Sequence, residues 1–76
     1  MLAVATLKKK FALLVRKRRE AAGLSQEALA HAAGLHRTYI SLLERAQRVT
    51  SIQVLLQLAK GLSTTMTSLI QELEQD

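Results

Sequence analysis

The sequence predicts an all-α fold in which five short helices form one compact domain over residues 1–76. The chain has no Pro and only three Gly, a composition typical of helices joined by short turns. Its hydrophobic content is 49%, yet it has one Phe, one Tyr and no Trp, which indicates an aliphatic core. In successive segments the apolar residues recur at the spacing of a helix. A core this small gives modest stability unless an oligomer buries more surface.

The first helix is expected over about residues 7–21. Thr6 is a candidate cap. Four apolar residues follow at helical spacing: Leu7, Phe11, Leu14 and Val15. Arg18 falls on the same stripe, so we expect its aliphatic stem to lie along the core while its guanidinium reaches water. The other Lys and Arg residues of this helix are expected to be solvated or to face phosphate.

Residues 25–45 are predicted to form two short helices across one turn. Ser25 can cap the first of them, and Glu27 lies where the positive end of the helix dipole favours an acid. Gly34 stands where a helix end needs a left-handed backbone, and the next helix begins at about His36. The apolar residues expected to face the angle between these helices are Leu29, Ala30, Ala33, Ile40 and Leu43.

The second helix of this pair has one face that suits DNA. Successive residues turn by about 100°, so with Ile40 inward Glu44 also points inward, and Arg37 lies in the first turn. The outward and marginal positions are Thr38, Tyr39, Ser41, Leu42 and Arg45. This face is rich in hydrogen-bonding groups and carries no acid, as the base edges of a major groove require. The alternative is an ordinary solvated face, which the turn register and the charge distribution disfavour.

Residues 46–51 show no apolar periodicity and are expected to form a loop. A left-handed Ala46 would cost about 1 kcal/mol, so either the chain leaves the helix by another geometry or some strain is stored there. Thr50 and Gln53 have the spacing of a capping box, and Ser51 is the rival cap of the next helix.

The fourth helix is expected over about residues 51–62, and Thr65 can cap a fifth. The fourth is expected to bury Ile52, Leu55, Leu56, Ala59 and Leu62, leaving Val54 and Leu58 on another face, and the fifth carries Met66, Leu69, Ile70 and Leu73. Because four helices already close a small domain, this surplus predicts a self-association surface, although the same groups could simply complete the core. The candidate dimer residues are Leu58, Leu69, Ile70 and Leu73.

Charge is distributed unevenly along the chain. Residues 1–48 carry ten Lys or Arg and three acids, whereas residues 49–76 carry one Lys and three acids. This pattern predicts a polyanionic partner, and DNA is favoured over a membrane surface because the basic residues do not lie opposite a broad apolar face. No run of about 18 apolar residues occurs and the start does not resemble a secretion signal, so a cytoplasmic location is expected.

Nothing in the sequence indicates an enzyme. There is no Cys, and His31 and His36 are five residues apart, off one helical face, with no acid at ligand spacing. We therefore expect no metal, and the absence of phosphate-loop and nucleophile motifs predicts no cofactor or small-molecule ligand. His36 is instead interpreted as a cap that also touches phosphate, and Arg45 as another phosphate contact.

These motifs resemble those of a known family. The resemblance is carried by Gly23-Leu24-Ser25-Gln26-Glu27, Leu29-Ala30, Gly34, Ile40-Ser41 and Glu44-Arg45. Over about residues 7–73 the chain resembles the helix-turn-helix domain of phage repressors and Xre-like regulators, which implies a repressor-like fold. It looks most like the controller proteins of restriction-modification systems, through Arg37-Thr38-Tyr39-Ile40-Ser41, Glu44-Arg45, Arg48 and Lys60-Gly61-Leu62. Ala46 departs from the pattern, since most relatives have Gly there.

The resemblance implies roles for individual residues. Arg19 is expected to pair with the inward Glu44, tying the first helix to the third. Gln26 is expected to grip phosphate or to brace the recognition residue, and Arg48 to approach bases. With the outward face described above, the predicted base-reading residues are Arg37, Thr38, Tyr39, Ser41 and Arg48.

The predicted function is sequence-specific binding of double-stranded DNA by a transcriptional regulator. One recognition helix is too small to specify a site alone, so we expect a homodimer on a pseudo-palindrome. The helix-turn-helix spans about residues 25–45 and the dimerisation region about residues 50–73. The resemblance to the controllers implies control of a restriction-modification operon. The alternative is an antitoxin or a protein-interaction adaptor built on the same fold.

Overall fold

The computed structural model describes residues 4–75, and five α-helices account for the regular structure of that part of the chain. The helices are α1 Val4–Ala21, α2 Gln26–Ala33, α3 Arg37–Glu44, α4 Ile52–Gly61 and α5 Met66–Leu73. The all-α prediction is confirmed. Thr6 lies inside α1 and does not cap it, because the helix already begins at Val4. Among the described residues, none of the helices is both long and apolar enough to span a bilayer.

Hydroxyl side chains cap three of the helices, two of them as the sequence predicts and the third by one of the two rival residues. The Ser25 hydroxyl accepts the backbone N–H of Ala28 at 3.0 Å, and the Thr65 hydroxyl accepts that of Ser68 at 3.0 Å. At α4 the cap is Ser51 and not Thr50, since the Ser51 hydroxyl accepts the N–H of the residue three positions further on at 3.1 Å. These contacts satisfy N–H groups that a helix start leaves unpaired.

A single apolar cluster joins the five helices. α1 packs against α3 and α5, α2 packs against α3 and α4, and α4 also packs against α5. The buried members are Phe11, Leu14, Val15, Leu29, Ala30, Ile40, Leu43, Leu55, Leu58, Ala59, Leu62 and Leu69. The predicted inward residues of α2 and α3 are all among the buried apolar residues, so the helix-turn-helix rests on the core through α1 and α4.

The face of α4 that enters the core differs from the expected one. Leu58 is fully buried, whereas Ile52 is 78% and Leu56 42% exposed. The inward line of the helix runs through Leu55, Leu58 and Ala59, at the three- and four-residue spacing that faces both α2 and α5. Leu69 is likewise fully buried. The assignment of Leu58 and Leu69 to a dimer surface is therefore wrong, because neither offers area to a partner.

α2 and α4 approach each other closely at one point. A Cβ atom added to Gly61 would lie 2.9 Å from the Ala33 Cβ and 3.0 Å from its backbone N. One helical turn earlier, Gln57 donates its side-chain N–H groups to the carbonyls of Ala33 at 3.1 Å and Gly34 at 3.3 Å. α4 thus holds the end of α2 both by proximity and by hydrogen bonds.

The Arg18 guanidinium was expected to reach water, but in the structure it bonds to two other side chains. Its Nε donates to the Glu72 carboxylate at 2.8 Å, and a terminal nitrogen donates to the Ser68 hydroxyl at 3.0 Å. Both partners lie on α5, and the Arg18 and Glu72 side chains are 29% and 28% exposed. The guanidinium therefore links α1 to α5 at the edge of the core.

Candidate nucleic-acid interface

The turn between α2 and α3 is set by local backbone geometry. Gly34 has φ +69°, the left-handed conformation that its sequence position predicts. The backbone N–H of Leu35 then donates to the carbonyl of Ala30 at 2.8 Å, which closes the end of α2. His36 caps α3, because its Nδ1 accepts the N–H of Thr38 at 3.1 Å. In a neutral ring this leaves the proton on Nε2, a donor on the exposed side of the cap.

The side of α3 that faces away from the core presents polar side chains to solvent. Arg37 and Thr38 are exposed, and Tyr39 and Ser41 are half-buried. Within the described residues, the Arg37 guanidinium makes no hydrogen bond or ion pair. Arg45 is exposed at the other end of the helix, and its Nε lies 3.4 Å from the Ser41 carbonyl. An unpaired guanidinium at the tip of a helix is suited to a bidentate contact with a guanine.

A polar cluster lies behind this helix and fixes its position. The Arg19 Nε donates to one Glu44 oxygen at 2.7 Å, and a terminal Arg19 nitrogen donates to the other at 3.1 Å. The two side chains are 12% and 4% exposed. Arg19 also donates to the Leu24 carbonyl at 2.8 Å. The hydrogen bond with Glu44 raises the pKa of Arg19 above its ordinary value, although partial burial opposes the rise.

Gln26 joins the same cluster from the first turn of α2. Its side-chain amide donates to a Glu44 oxygen at 3.1 Å. The Gln26 side chain therefore braces Glu44 at the end of α3 and not Arg37 at its beginning. An amide nitrogen carries two hydrogens, so one remains for a phosphate.

The loop after α3 brings together two predicted base-reading residues that are nine positions apart. Ala46 has φ +59°, so the strained left-handed exit is the one adopted. The N–H of Gln47 donates to the Leu42 carbonyl at 2.9 Å, which closes the turn. The Arg48 guanidinium then lies over the Tyr39 ring, 5.4 Å from its centroid. The separate predictions for these residues missed this contact.

A second surface is apolar and lies where α1, α5 and the loop before α4 meet. It is a groove of about 180 Å³, here called the apolar groove, lined by Leu7, Lys8, Phe11, Val49, Thr50, Leu55, Ile70 and Leu73. Of the four predicted dimer residues, Ile70 and Leu73 line it. Leu7 is 40% and Val49 65% exposed. Sequence analysis missed these two, because it assigned Leu7 to the core and gave no role to the loop.

These features define a DNA-binding helix-turn-helix regulator. Residues 15–69 match the helix-turn-helix family. The chain belongs to this family, among its Xre-like members, and it is of the controller-protein type.

The relatives are named as controllers and not as enzymes. The chain is 46% identical over 56 residues to control protein C.SmaI of Serratia marcescens, a match that covers 74% of this chain and 67% of the relative. It is similar to the restriction-modification controller protein C.AhdI from Aeromonas hydrophila, at 42% identity and a TM-score of 0.78, covering 82% of this chain and 94% of that one.

A third relative has been solved with DNA. C.Esp1396I bound to a 19 base pair duplex is 36% identical, with a TM-score of 0.82 over 88% of this chain and 89% of that one. Solved variants of C.Esp1396I replace an Arg, the Thr that follows it, the Tyr after that, and an Arg nine positions further on. This chain has the same residue types at the same spacing in Arg37, Thr38, Tyr39 and Arg48.

Proposed function

We propose that this chain is a controller that binds, as a homodimer, a pseudo-palindromic operator of a restriction-modification operon. The observation that carries the proposal is the exposed tip of α3, with Arg37 making no hydrogen bond or ion pair to the described residues in front and the Arg19–Glu44 pair behind. A recognition helix needs exposed donors on one side and rigid support on the other. The likeness to C.AhdI and C.Esp1396I, both named as restriction-modification controllers, supports the operon assignment.

Base recognition is assigned to the exposed side of α3 and to the loop that follows it. Arg37 is expected to span O6 and N7 of a guanine, and Thr38 and Tyr39 to add smaller preferences through hydroxyl and apolar contacts. Ser41 adds a hydroxyl one turn further along the helix. Arg48 joins them because its stacking on Tyr39 directs the loop cation toward the same face. Solved variants of C.Esp1396I carry substitutions of the same residue types at the same spacing as four of these five residues.

Phosphate contacts are assigned to residues around the base-reading helix. Gln26 has one amide hydrogen left after its bond to Glu44, His36 has its outer ring nitrogen, and Arg45 has its terminal nitrogens. Such contacts hold register and orientation without reading sequence. Their loss should weaken binding to all sequences alike.

The dimer surface is assigned to the apolar groove. Ile70 is 39% exposed and Leu73 half-buried there, so each retains area that a partner can cover. Leu7 and Val49 extend the same surface on its other walls. A second copy that inserts its own α5 across this surface would relate two recognition helices by a two-fold axis. Their half-site centres would then lie roughly 34 Å apart, one turn of DNA.

A selection of bound sites from random DNA tests the proposal. The wild-type protein should recover a two-fold symmetric motif, and that motif should occur upstream of the protein's own gene. Binding there would let the protein control the operon so that DNA methylation precedes cleavage by the nuclease. Arg37→Ala should cost about 1–3 kcal/mol and relax the preference at one base in each half-site. Arg48→Ala, run in parallel, separates base contact from phosphate contact.

Two outcomes of this comparison would change the assignments. If Arg48 touches only phosphate, Arg48→Ala will lower affinity evenly and reduce the salt slope by about one unit per monomer. If Arg37→Ala leaves every base preference intact and reduces only the salt slope, α3 is docked differently from the way proposed. An asymmetric motif would refute the dimer, and the absence of a motif would favour a protein-interaction module.

A further inference from the structure

Two adjacent arginines on α1 bind two different helices. Arg19 holds Glu44 at the end of α3, and Arg18 holds Ser68 and Glu72 on α5. α1 packs against both of these helices. In the proposed dimer α3 reads the half-site and α5 contributes to the interface. One short stretch of α1 therefore connects the element that reads DNA to the element that sets the two-fold axis.

Arg18 is one of the side chains that restrain α5, and Lys10 also donates to the carbonyl of Gln75, just past the end of that helix. The helix has eight residues, and Leu69 is its only fully buried side chain among the described residues. Met66 and Leu73 are only partly buried against the core, so they restrain rotation about Leu69 less than full burial would. Ser68 and Glu72 are four positions apart and so lie on one face of α5. Because the Arg18 guanidinium contacts both, it opposes rotation of the helix. Lys17 adds little, since its Nζ is 4.0 Å from Glu72 and its side chain is 79% exposed.

We propose that Arg18 is a positioning residue that sets the preferred spacing between the two half-sites. The proposal rests on the homodimer proposed above. Ile70 and Leu73 line the apolar groove on α5, so a rotation of α5 changes the direction in which these two residues meet a partner. The two-fold axis, and with it the separation of the two α3 helices, changes as well.

The size of this effect matches the spacing of base pairs. Each recognition helix lies roughly 17 Å from the two-fold axis, half of the 34 Å between half-site centres. A change of about 10° in the attachment of α5 moves the tip of such an arm by about 3 Å, close to the roughly 3.4 Å rise of one base pair. One base pair also turns a half-site by roughly 34–36° about the duplex axis, so a rotational freedom of a few degrees in α5 weakens the preference between operators that differ by one base pair without removing it.

The experiment measures the affinity of the wild type and of each variant for a set of duplexes. In these duplexes the two half-sites are separated by the best spacing, by one base pair more or by one base pair less. The readout, the spacing ratio, is the affinity at the best spacing divided by the higher of the two affinities at the other spacings. Arg18→Met keeps the aliphatic stem and should reduce this ratio at least threefold, with the base preferences inside each half-site unchanged. Arg16→Met is the matched control, because within residues 4–75 Arg16 pairs only with Glu20 on the same helix, at 3.4 Å and largely exposed.

A second variant separates geometry from charge. Glu72→Met removes both acceptor oxygens and raises the net positive charge, whereas Arg18→Met lowers it, yet both should reduce the spacing ratio if the contact to α5 is what matters. Equal ratios in wild type and in both variants would overturn the role of Arg18. A wild-type protein that shows no spacing preference would refute the dimeric operator complex itself. A ratio that falls in Arg18→Met but not in Glu72→Met would assign the effect to the lost charge and not to the contact with Glu72, and would also overturn the proposal.

Discussion

Replacement of Glu44 by Gln should destabilise the protein strongly although it changes only one group of atoms. The Glu44 carboxylate accepts two hydrogen bonds from Arg19 and one from Gln26. A Gln at this position has one acceptor oxygen and would turn an N–H group toward a donor. The Arg19 charge would remain, and its side chain is only 12% exposed.

The expected loss follows from this burial. Removal of one partner from a fully buried ion pair costs roughly 3–5 kcal/mol. Arg19 keeps its bond to the Leu24 carbonyl and some contact with water, so we expect about 2–3 kcal/mol. For a domain of this size each kcal/mol lowers the melting temperature by about 4–8 °C. Glu44→Gln should therefore melt roughly 10–20 °C below the wild type.

Thermal and urea unfolding followed by circular dichroism measure this difference. Glu20→Gln is the matched control, because it makes the same chemical change in a pair whose side chains are 60% and 58% exposed. A double-mutant cycle with Arg19→Met isolates the coupling between the two charges. A Glu44→Gln protein that melts within about 1 °C of wild type, or a coupling energy near zero, would show that the pair does not hold α1 to α3.

Three further changes test other parts of the structure. Ile70→Asp should shift the sedimentation coefficient at micromolar concentration toward that of a monomer and leave the base preferences intact. Leu13→Asp, on an exposed face outside the apolar groove, should leave the sedimentation coefficient unchanged. Ala46→Gly should raise the melting temperature by a few degrees, since it relieves a left-handed Ala at a cost of about 1 kcal/mol; a lower melting temperature would contradict stored strain. Gln57→Met should lose about 1 kcal/mol of stability, because it removes the two hydrogen bonds to the turn. Gln53→Met, at an exposed position of the same helix, should lose a negligible amount. Equal losses in the two variants would show that the turn does not need the Gln57 contact.

The parts of the fold that the sequence predicted are the ones set by near neighbours. Ser25 caps α2 by accepting the N–H of a residue three positions away, and Gly34 adopts the left-handed backbone conformation that its place at a helix end demands. The inward direction of Glu44 followed from the helical period once Ile40 was placed in the core. In each case the physical cause acts within one or two turns of helix, which a sequence displays directly.

The incorrect predictions arose where distant contacts decide. α4 carries apolar residues on almost every side, so its periodicity could not choose between Leu56 and Leu58, and the packing of α2 and α5 chose Leu58. The partner of Arg18 is 54 residues away in sequence. The stacking of Arg48 on the aromatic ring depends on the left-handed Ala46, which the sequence left as one of two options. The base and phosphate assignments stay predictions until DNA is bound.

The contact between Gly61 and Ala33 has a consequence for redesign. The atoms that a new Cβ at Gly61 would meet include the backbone N and Cα of Ala33, at 3.0 and 3.1 Å. Trimming the Ala33 side chain therefore cannot make room, and any larger residue at position 61 must displace α2 as a whole, with the turn attached to it. The surface of α3 is free of this constraint, since Arg37 and Thr38 face solvent. A library intended to redirect the protein to a new operator can vary these two positions widely, provided that position 61 remains glycine.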